Sequence, residues 1–308
     1  MNLSVELAPS NQRRLLLANP VMTAAGTVSY GTDYGQLVDI EKLGAIVTKG
    51  TTLRPHPGNP QPRLFEAASG ILNSIGLQNI GIDAVIRDKA PIWATWRVPV
   101  IVNIAGESID DYAELAGKLE GVAGIGGIEV NISCPNVALG GMEFGKSPET
   151  AAEVTRAVKS QTTLPIIVKL TPNVTDIASI ARAVADAGAD AISLINTLAG
   201  MAIDITKRQP FLGGMTGGLS GPAIKPIAVY MVYQVSQAVE VPIIGCGGIA
   251  SADDALEFIM AGACAVQIGT ATLINPNAPI EVVEGIERFM EREGVEDIAQ
   301  LIGAAKAP

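Results

Sequence analysis

Short runs rich in valine and isoleucine alternate along this chain with longer alanine-rich stretches, and that alternation decides most of what it can fold into. A strand, a helical crossover and a second strand form the unit of a parallel sheet. Eight such runs follow an N-terminal preamble, at residues 21–25, 45–49, 98–103, 127–133, 165–170, 191–196, 241–246 and 265–269. Helical stretches lie between them at Ile109–Leu119, Pro148–Lys159, 177–187, 224–239 and Ala252–Met260, the last with Ser251 as its N-cap. Eight parallel strands, each followed by a helix, predict an α/β fold of the (β/α)8 TIM-barrel type. A length of 308 residues suits one such domain over residues 1–308, and no Pro/Ser-rich linker or charge block divides it.

Composition narrows the function. Apolar residues make up 48% and aromatic residues only 4%, with 33 glycines, as expected of buried Val/Ile strands and tight turns. The formal net charge of −10 and the lack of any Lys/Arg-rich run argue against nucleic-acid binding. The first residues lack the basic and apolar regions of a signal peptide, and no uninterrupted apolar stretch is long enough to span a membrane. Three widely spaced cysteines, Cys134, Cys246 and Cys264, suit a reducing cytosol better than a disulfide framework, so the expected location is cytoplasmic.

Three long Gly/Pro-rich connections, at 50–81, 135–147 and 197–222, follow the second, fourth and sixth strands. On a barrel they would crowd over the C-terminal face, where such folds carry their chemistry. The preamble has apolar runs at 3–7 and 15–18 around a polar Ser10-Asn11-Gln12-Arg13 turn, and it predicts an N-terminal β-hairpin plugging the opposite end.

Polar residues close several of the apolar strands. Lys49 and Lys169 would be costly to bury without an anion or electron-rich group beside them, although each could instead snorkel to the rim. Asn103, Asn131 and Asn196 each end a strand-like run. Their carboxamides suit the edge of a heterocycle and would equally cap turns. Glycines at Gly245, Gly247, Gly248 and Gly269 follow the last two strands, where barrels often bind phosphate through backbone N–H groups. Turn geometry alone also accounts for them. The chain has one histidine, His56, so Cys134, in Asn131-Ile132-Ser133-Cys134-Pro135-Asn136, becomes the first candidate for moving a proton. A phosphate site, a polar rim and lysines near an electron-rich ring together suggest FMN. A sugar-phosphate isomerase would share the phosphate site; Glu129 and Asp190 are its candidate bases.

Four segments resemble the signatures of dihydroorotate dehydrogenases. They are Asn131-Ile132-Ser133-Cys134-Pro135-Asn136, Asn73-Ser74-Ile75-Gly76-Leu77-Gln78-Asn79, Thr48-Lys49-Gly50-Thr51-Thr52 and Gly218-Leu219-Ser220-Gly221-Pro222-Ala223-Ile224-Lys225-Pro226. The likeness runs through essentially the whole chain. It is nearest the class 1B catalytic subunit, because cysteine occupies the base position. The resemblance implies oxidation of (S)-dihydroorotate to orotate in de novo pyrimidine synthesis, with Cys134 as base and FMN as hydride acceptor. It also implies that Lys49, Asn73, Ser74, Ile75, Gly76, Leu77, Asn131, Asn196 and Thr197 hold the substrate. The flavin ring would then meet Ala25, Lys49, Gly50, Asn103, Asn131, Lys169 and Ile195, and its phosphate Gly221, Gly247, Gly248, Gly269 and Thr270. Where relatives often have Ala-Ser-Gly this chain has Ala24-Ala25-Gly26, which removes a hydroxyl but leaves the backbone contact. The implied assembly is a homodimer within a heterotetramer, whose second subunit holds FAD and a [2Fe–2S] cluster and reduces NAD+. Scattered cysteines leave this chain unable to hold that cluster itself, and no metal site is expected in it. A class 1A-like enzyme using fumarate without a partner, and a catalytically silent barrel, are the alternatives.

Overall fold

The computed structural model describes residues 1–133, 135, 136 and 142–305. Eight parallel strands form one sheet: β1 (Val21–Thr23), β2 (Ile46–Val47), β3 (Val100–Ile104), β4 (Gly127–Asn131), β5 (Ile166–Leu170), β6 (Ala191–Leu194), β7 (Ile243–Cys246) and β8 (Ala265–Ile268). Neighbours follow chain order, with β8 against β1. The remaining seam between β1 and β2 is closed by a Met22–Ala45 bridge and by the Val47 N–H, which donates to Thr23 Oγ1 at 3.0 Å. The predicted barrel is therefore what forms. Nearly every strand residue is buried, because helices cover one face of the sheet and the packed interior covers the other.

Outside the sheet lie α1 (Ile82–Asp88), α2 (Ala90–Trp93), α3 (Ile109–Leu119), α4 (Pro148–Lys159), α5 (Ile177–Asp186), α6 (Lys225–Ser236), α7 (Ala252–Met260), α8 (Thr270–Ile274) and α9 (Ala278–Glu293). Local chemistry starts them: Ser108, Ser147 and Asp176 accept from backbone N–H groups of the first turns of α3, α4 and α5. Ser251 caps α7 as expected, in a reciprocal capping box with Asp254. Helix α6 is shorter than the predicted 224–239, since a 3-10 turn over Pro222–Ile224 precedes it and its last residues become a loose turn.

The N-terminal hairpin is present, with Val5–Glu6 antiparallel to Leu16–Leu17. Leu7 and Leu17 are completely buried, and a Cβ added to Gly127, where β4 begins, would touch Leu15 at 3.4 Å. Asn11 Nδ2 donates to Asp190, just ahead of β6, so the hairpin stoppers the N-terminal end of the barrel.

Over the other end, two of the long connections build a structure with no local cause. Leu64–Ala67 and Gly70–Asn73, from the loop after β2, pair with each other. Gly70–Asn73 also pairs with Gly217–Ser220 and, through it, Leu198–Gly200, from the loop after β6. The result is a four-stranded antiparallel roof. Gly218 permits the close approach, because a Cβ there would lie 2.0 Å from Thr197 Oγ1. The third connection contributes a short pairing of Pro135–Asn136 with Met142–Glu143. Among the described residues, no helix is long and apolar enough to cross a membrane, and no cluster of three His, Cys, Asp or Glu side chains is placed to hold a metal ion.

Candidate active site

Strands show two faces, so a polar residue inside an apolar run is forced either into the barrel or under a helix. Five such residues, each from a different strand, meet in the interior. Glu129 on β4 has no solvent exposure, and its two oxygens accept from Asn103 Nδ2 on β3 (2.7 Å), Ser193 Oγ on β6 (2.9 Å) and Gln267 Nε2 on β8 (2.5 Å). Lys169 on β5 places its Nζ 2.9 Å from Gln267 Oε1 and 3.7 Å from Glu129 Oε1. Burial pulls the Lys169 pKa down, but the Glu129 carboxylate beside it outweighs burial and leaves the pKa above the ordinary lysine value. Cys246 on β7 lies against the same group, and burial raises its thiol above the usual range.

One layer higher, carboxamides line the rim. Asn131, level with Lys169, accepts at Oδ1 from Ser133 N and Asn196 Nδ2 (both 3.2 Å), and Asn196 Nδ2 also donates to Ser133 Oγ at 3.0 Å. Among the described residues nothing accepts from Asn131 Nδ2. Lys49 leaves the end of β2 half-buried, and among the described residues its ammonium has neither an ion pair nor a hydrogen bond. Burial, with the nearby Arg63 guanidinium adding to it, holds the Lys49 pKa below the usual value. The two strand-end lysines thus differ in kind. Lys169 is answered inside the protein, whereas Lys49 has no counterion among the described residues.

The roof carries the next residues. Asn73 Nδ2 donates to Gly218 O at 3.1 Å, and the Ser74 hydroxyl accepts from Asn59 Nδ2 at 2.9 Å. After Ile75 the chain turns through Gly76 and Leu77, both at positive φ, and brings Leu77 back over the rim. A Cβ on Gly50 would lie 3.1 Å from Asn103 Oδ1 and 3.5 Å from Leu77 Cδ2, so these three positions converge. Asn59, His56 and Asn79 hold this loop through its backbone, and His56 Nδ1 is spent accepting from Gly58 N–H.

The glycines after β7 and β8 gather on the opposite side. A cleft of about 160 Å³ is lined by Gly221, Gly248, Ile249, Ala250, Thr270 and Ala271, among others. Gly221, Gly247 and Gly248 have φ of +97°, +126° and +82°, conformations that a side chain would strain. The adjacent Lys225 ammonium lies 2.7 Å from both Asp254 and Glu257, so the cleft offers backbone N–H groups rather than a free cation. A Cβ on Gly247 would lie 3.3 Å from Ile195 Cγ1, and one on Gly269 would lie 3.3 Å from Cβ of Ala24, the neighbour of Ala25.

The family model for dihydroorotate dehydrogenase matches residues 10–290. The chain belongs to the dihydroorotate dehydrogenase family. It is 57% identical over 294 residues to the "Dihydroorotate dehydrogenase B (NAD(+)), catalytic subunit" of Pelobacter propionicus, a match that covers 96% of this chain and 97% of that protein. Proteins of the same description in Geotalea uraniireducens and Desulforamulus reducens are 55% and 56% identical, each aligned over 98% or more of both chains.

The sequence-predicted residues other than Cys134 lie toward the C-terminal ends of the barrel strands or in the connections that follow them. Cys134 itself lies outside the described residues. Both carboxylates that an isomerase would need are already engaged. Glu129 is the hub of the floor, and Asp190 binds Lys159, Asn11 and the Ile166 N–H at the far end of the barrel. Ser193, Gln267 and Ser220 escaped the sequence reading; Ser220 Oγ accepts from Thr270 Oγ1 at 2.9 Å beside the cleft. The signal for the first two was present: a lone polar residue at the third position of Ala191–Leu194 and of Ala265–Ile268, where every neighbour is apolar.

Proposed function

We propose that this chain oxidises (S)-dihydroorotate to orotate with bound FMN, and that a separate subunit holding FAD and a [2Fe–2S] cluster relays the electrons to NAD+. The observation that carries this reading is the half-buried Lys49 ammonium, which has no counterion among the described residues and shares a rim with the carboxamides of Asn131 and Asn196. A cation kept in such a place favours an anionic, amide-edged substrate such as dihydroorotate. The near full-length likeness to catalytic subunits named for this reaction supports it.

The residues present fit FMN. Gly221 and Gly248 leave the cleft without side chains at two positions where a phosphate must approach backbone, and the barrel floor carries the Lys169 ammonium. Bound FMN supplies a two-electron acceptor. Lys49 anchors the substrate carboxylate, while Asn131 Nδ2 and the Asn196 carboxamide meet its amide edges. Asn73 and Thr197 close the site from the roof. Cys134 takes the proton from the ring carbon adjacent to the one that loses hydride, so a C–H bond breaks at each carbon and a C=C bond forms between them.

Anaerobic mixing of the purified protein with dihydroorotate tests this directly. The expected result is a yellow protein whose flavin absorbance bleaches on mixing. A colourless protein that cannot take up FMN would sink the proposal. Reoxidation by NAD+ only when the native partner is added, and not by fumarate, is expected of the proposed electron path.

A further inference from the structure

We propose that Glu129 is a positioning residue for the redox step, acting through Lys169: its carboxylate keeps the Lys169 ammonium charged and fixed in the barrel floor, so that reducing the cofactor draws no proton onto this lysine. The inference rests on the FMN reading above.

The geometry that supports it is a closed set of contacts. Lys169 is only 5% exposed and cannot reach bulk counterions. Lys169 is met by Glu129 from β4, Gln267 from β8 and Cys246 from β7, and Glu129 in turn by Ser193 from β6 and Asn103 from β3. Of these only Glu129 and Cys246 titrate, and burial keeps the Cys246 thiol protonated near neutral pH. Glu129 is therefore the one fixed negative charge among these groups. Its oxygens are in turn held by Asn103, Ser193 and Gln267, and Gln267 also accepts from Lys169, so the amide bridges the two charges. Three neutral donors fill the remaining hydrogen-bond capacity of the carboxylate, which is the condition under which an ion pair survives burial.

Removing the charge but not the shape, with Glu129→Gln, leaves Lys169 buried without an anion. A lysine so placed gives up its proton near neutral pH. Reduction of the flavin, which brings negative charge to its pyrimidine edge, would then pull a proton back onto Lys169. The bound-FMN midpoint potential of E129Q is expected to fall with pH more steeply than that of the wild type between pH 6 and 9. The excess is one proton per two electrons, a tenfold change in the equilibrium per pH unit or about 30 mV. E129D, which keeps the charge, should return the wild-type slope. An E129Q slope parallel to the wild type overturns the inference, even if stability or FMN affinity falls, since a purely structural role would lower those alone.

If E129Q does not fold, the wild type decides. The Lys169 13Cε resonance, assigned by its loss in Lys169→Arg, should stay at the protonated position from pH 6 to 9, and a titration in that window overturns the inference. This measurement needs no flavin. A wild-type protein that cannot bind FMN would therefore defeat the proposed function while leaving the charge on Lys169 separately decided.

Discussion

Lys49 and Lys169 look alike in the sequence, each a single cation near the end of a Val/Ile strand, and only their surroundings separate them. Depth inside the barrel gives Lys169 an acid and an amide; Lys49, at the rim, has neither among the described residues. Because the Lys49 pKa is lowered by folding, the unfolded chain binds the extra proton at alkaline pH. Stability from this group thus rises with pH from its folded value up to the ordinary lysine value. Below that window the charge costs the ligand-free protein stability. Lys49→Met should accordingly leave thermal stability equal or higher while weakening orotate binding roughly tenfold to a hundredfold, the worth of one charge-assisted hydrogen bond. Calorimetric titration of wild type and variant checks both halves, and orotate affinity of the wild type should fall as pH rises through the Lys49 pKa. Cys134→Ala should retain FMN but slow anaerobic flavin reduction by roughly 10²–10⁴-fold, the range for a lost general base; near-normal stopped-flow rates would remove Cys134 from the reaction. The motif residues stood out one by one. Gln267 and Ser193 were visible only as lone polar residues in apolar runs, because a polar residue in a strand acquires meaning only from the neighbours that face it.

At the scale of elements, strand positions read correctly from valine and isoleucine runs, yet several strands end earlier than expected. Lys49 and Asn196 fall beyond the last residues of β2 and β6, since the chain there is already bending toward the roof. The roof itself was invisible: its strands pair across more than a hundred residues of sequence and include glycines, which no local propensity favours. Gly221 joins this roof to the cleft. Its φ of +97° suits glycine alone, and an added Cβ would lie 2.9 Å from Gly70 Cα. Gly221→Ala should therefore cost about 1–3 kcal/mol of stability and loosen FMN, detectable as cofactor lost on gel filtration together with a lower melting temperature.

For the whole molecule, chemistry and stability sit at opposite ends. The hairpin lies at the end of the barrel opposite the roof, and Leu17 within it is fully buried. Leu17→Ala should lower unfolding free energy by about 2–5 kcal/mol, as large-to-small core changes do, and leave the rate of flavin reduction per folded molecule unchanged; denaturant titration alongside stopped-flow separates the two. The roof carries a different consequence. A barrel cut between β4 and β5 would leave two of the four roof strands on each half, with the pairs Asn73–Gly218, Leu72–Leu219 and Ile71–Ser220 as the join between them. Half-barrels exchanged between relatives would have to match there as well as along the barrel wall. Shuffling such enzymes by halves is thus governed by a three-residue zipper that lies over the C-terminal end of the barrel, away from the wall along which the halves would be joined.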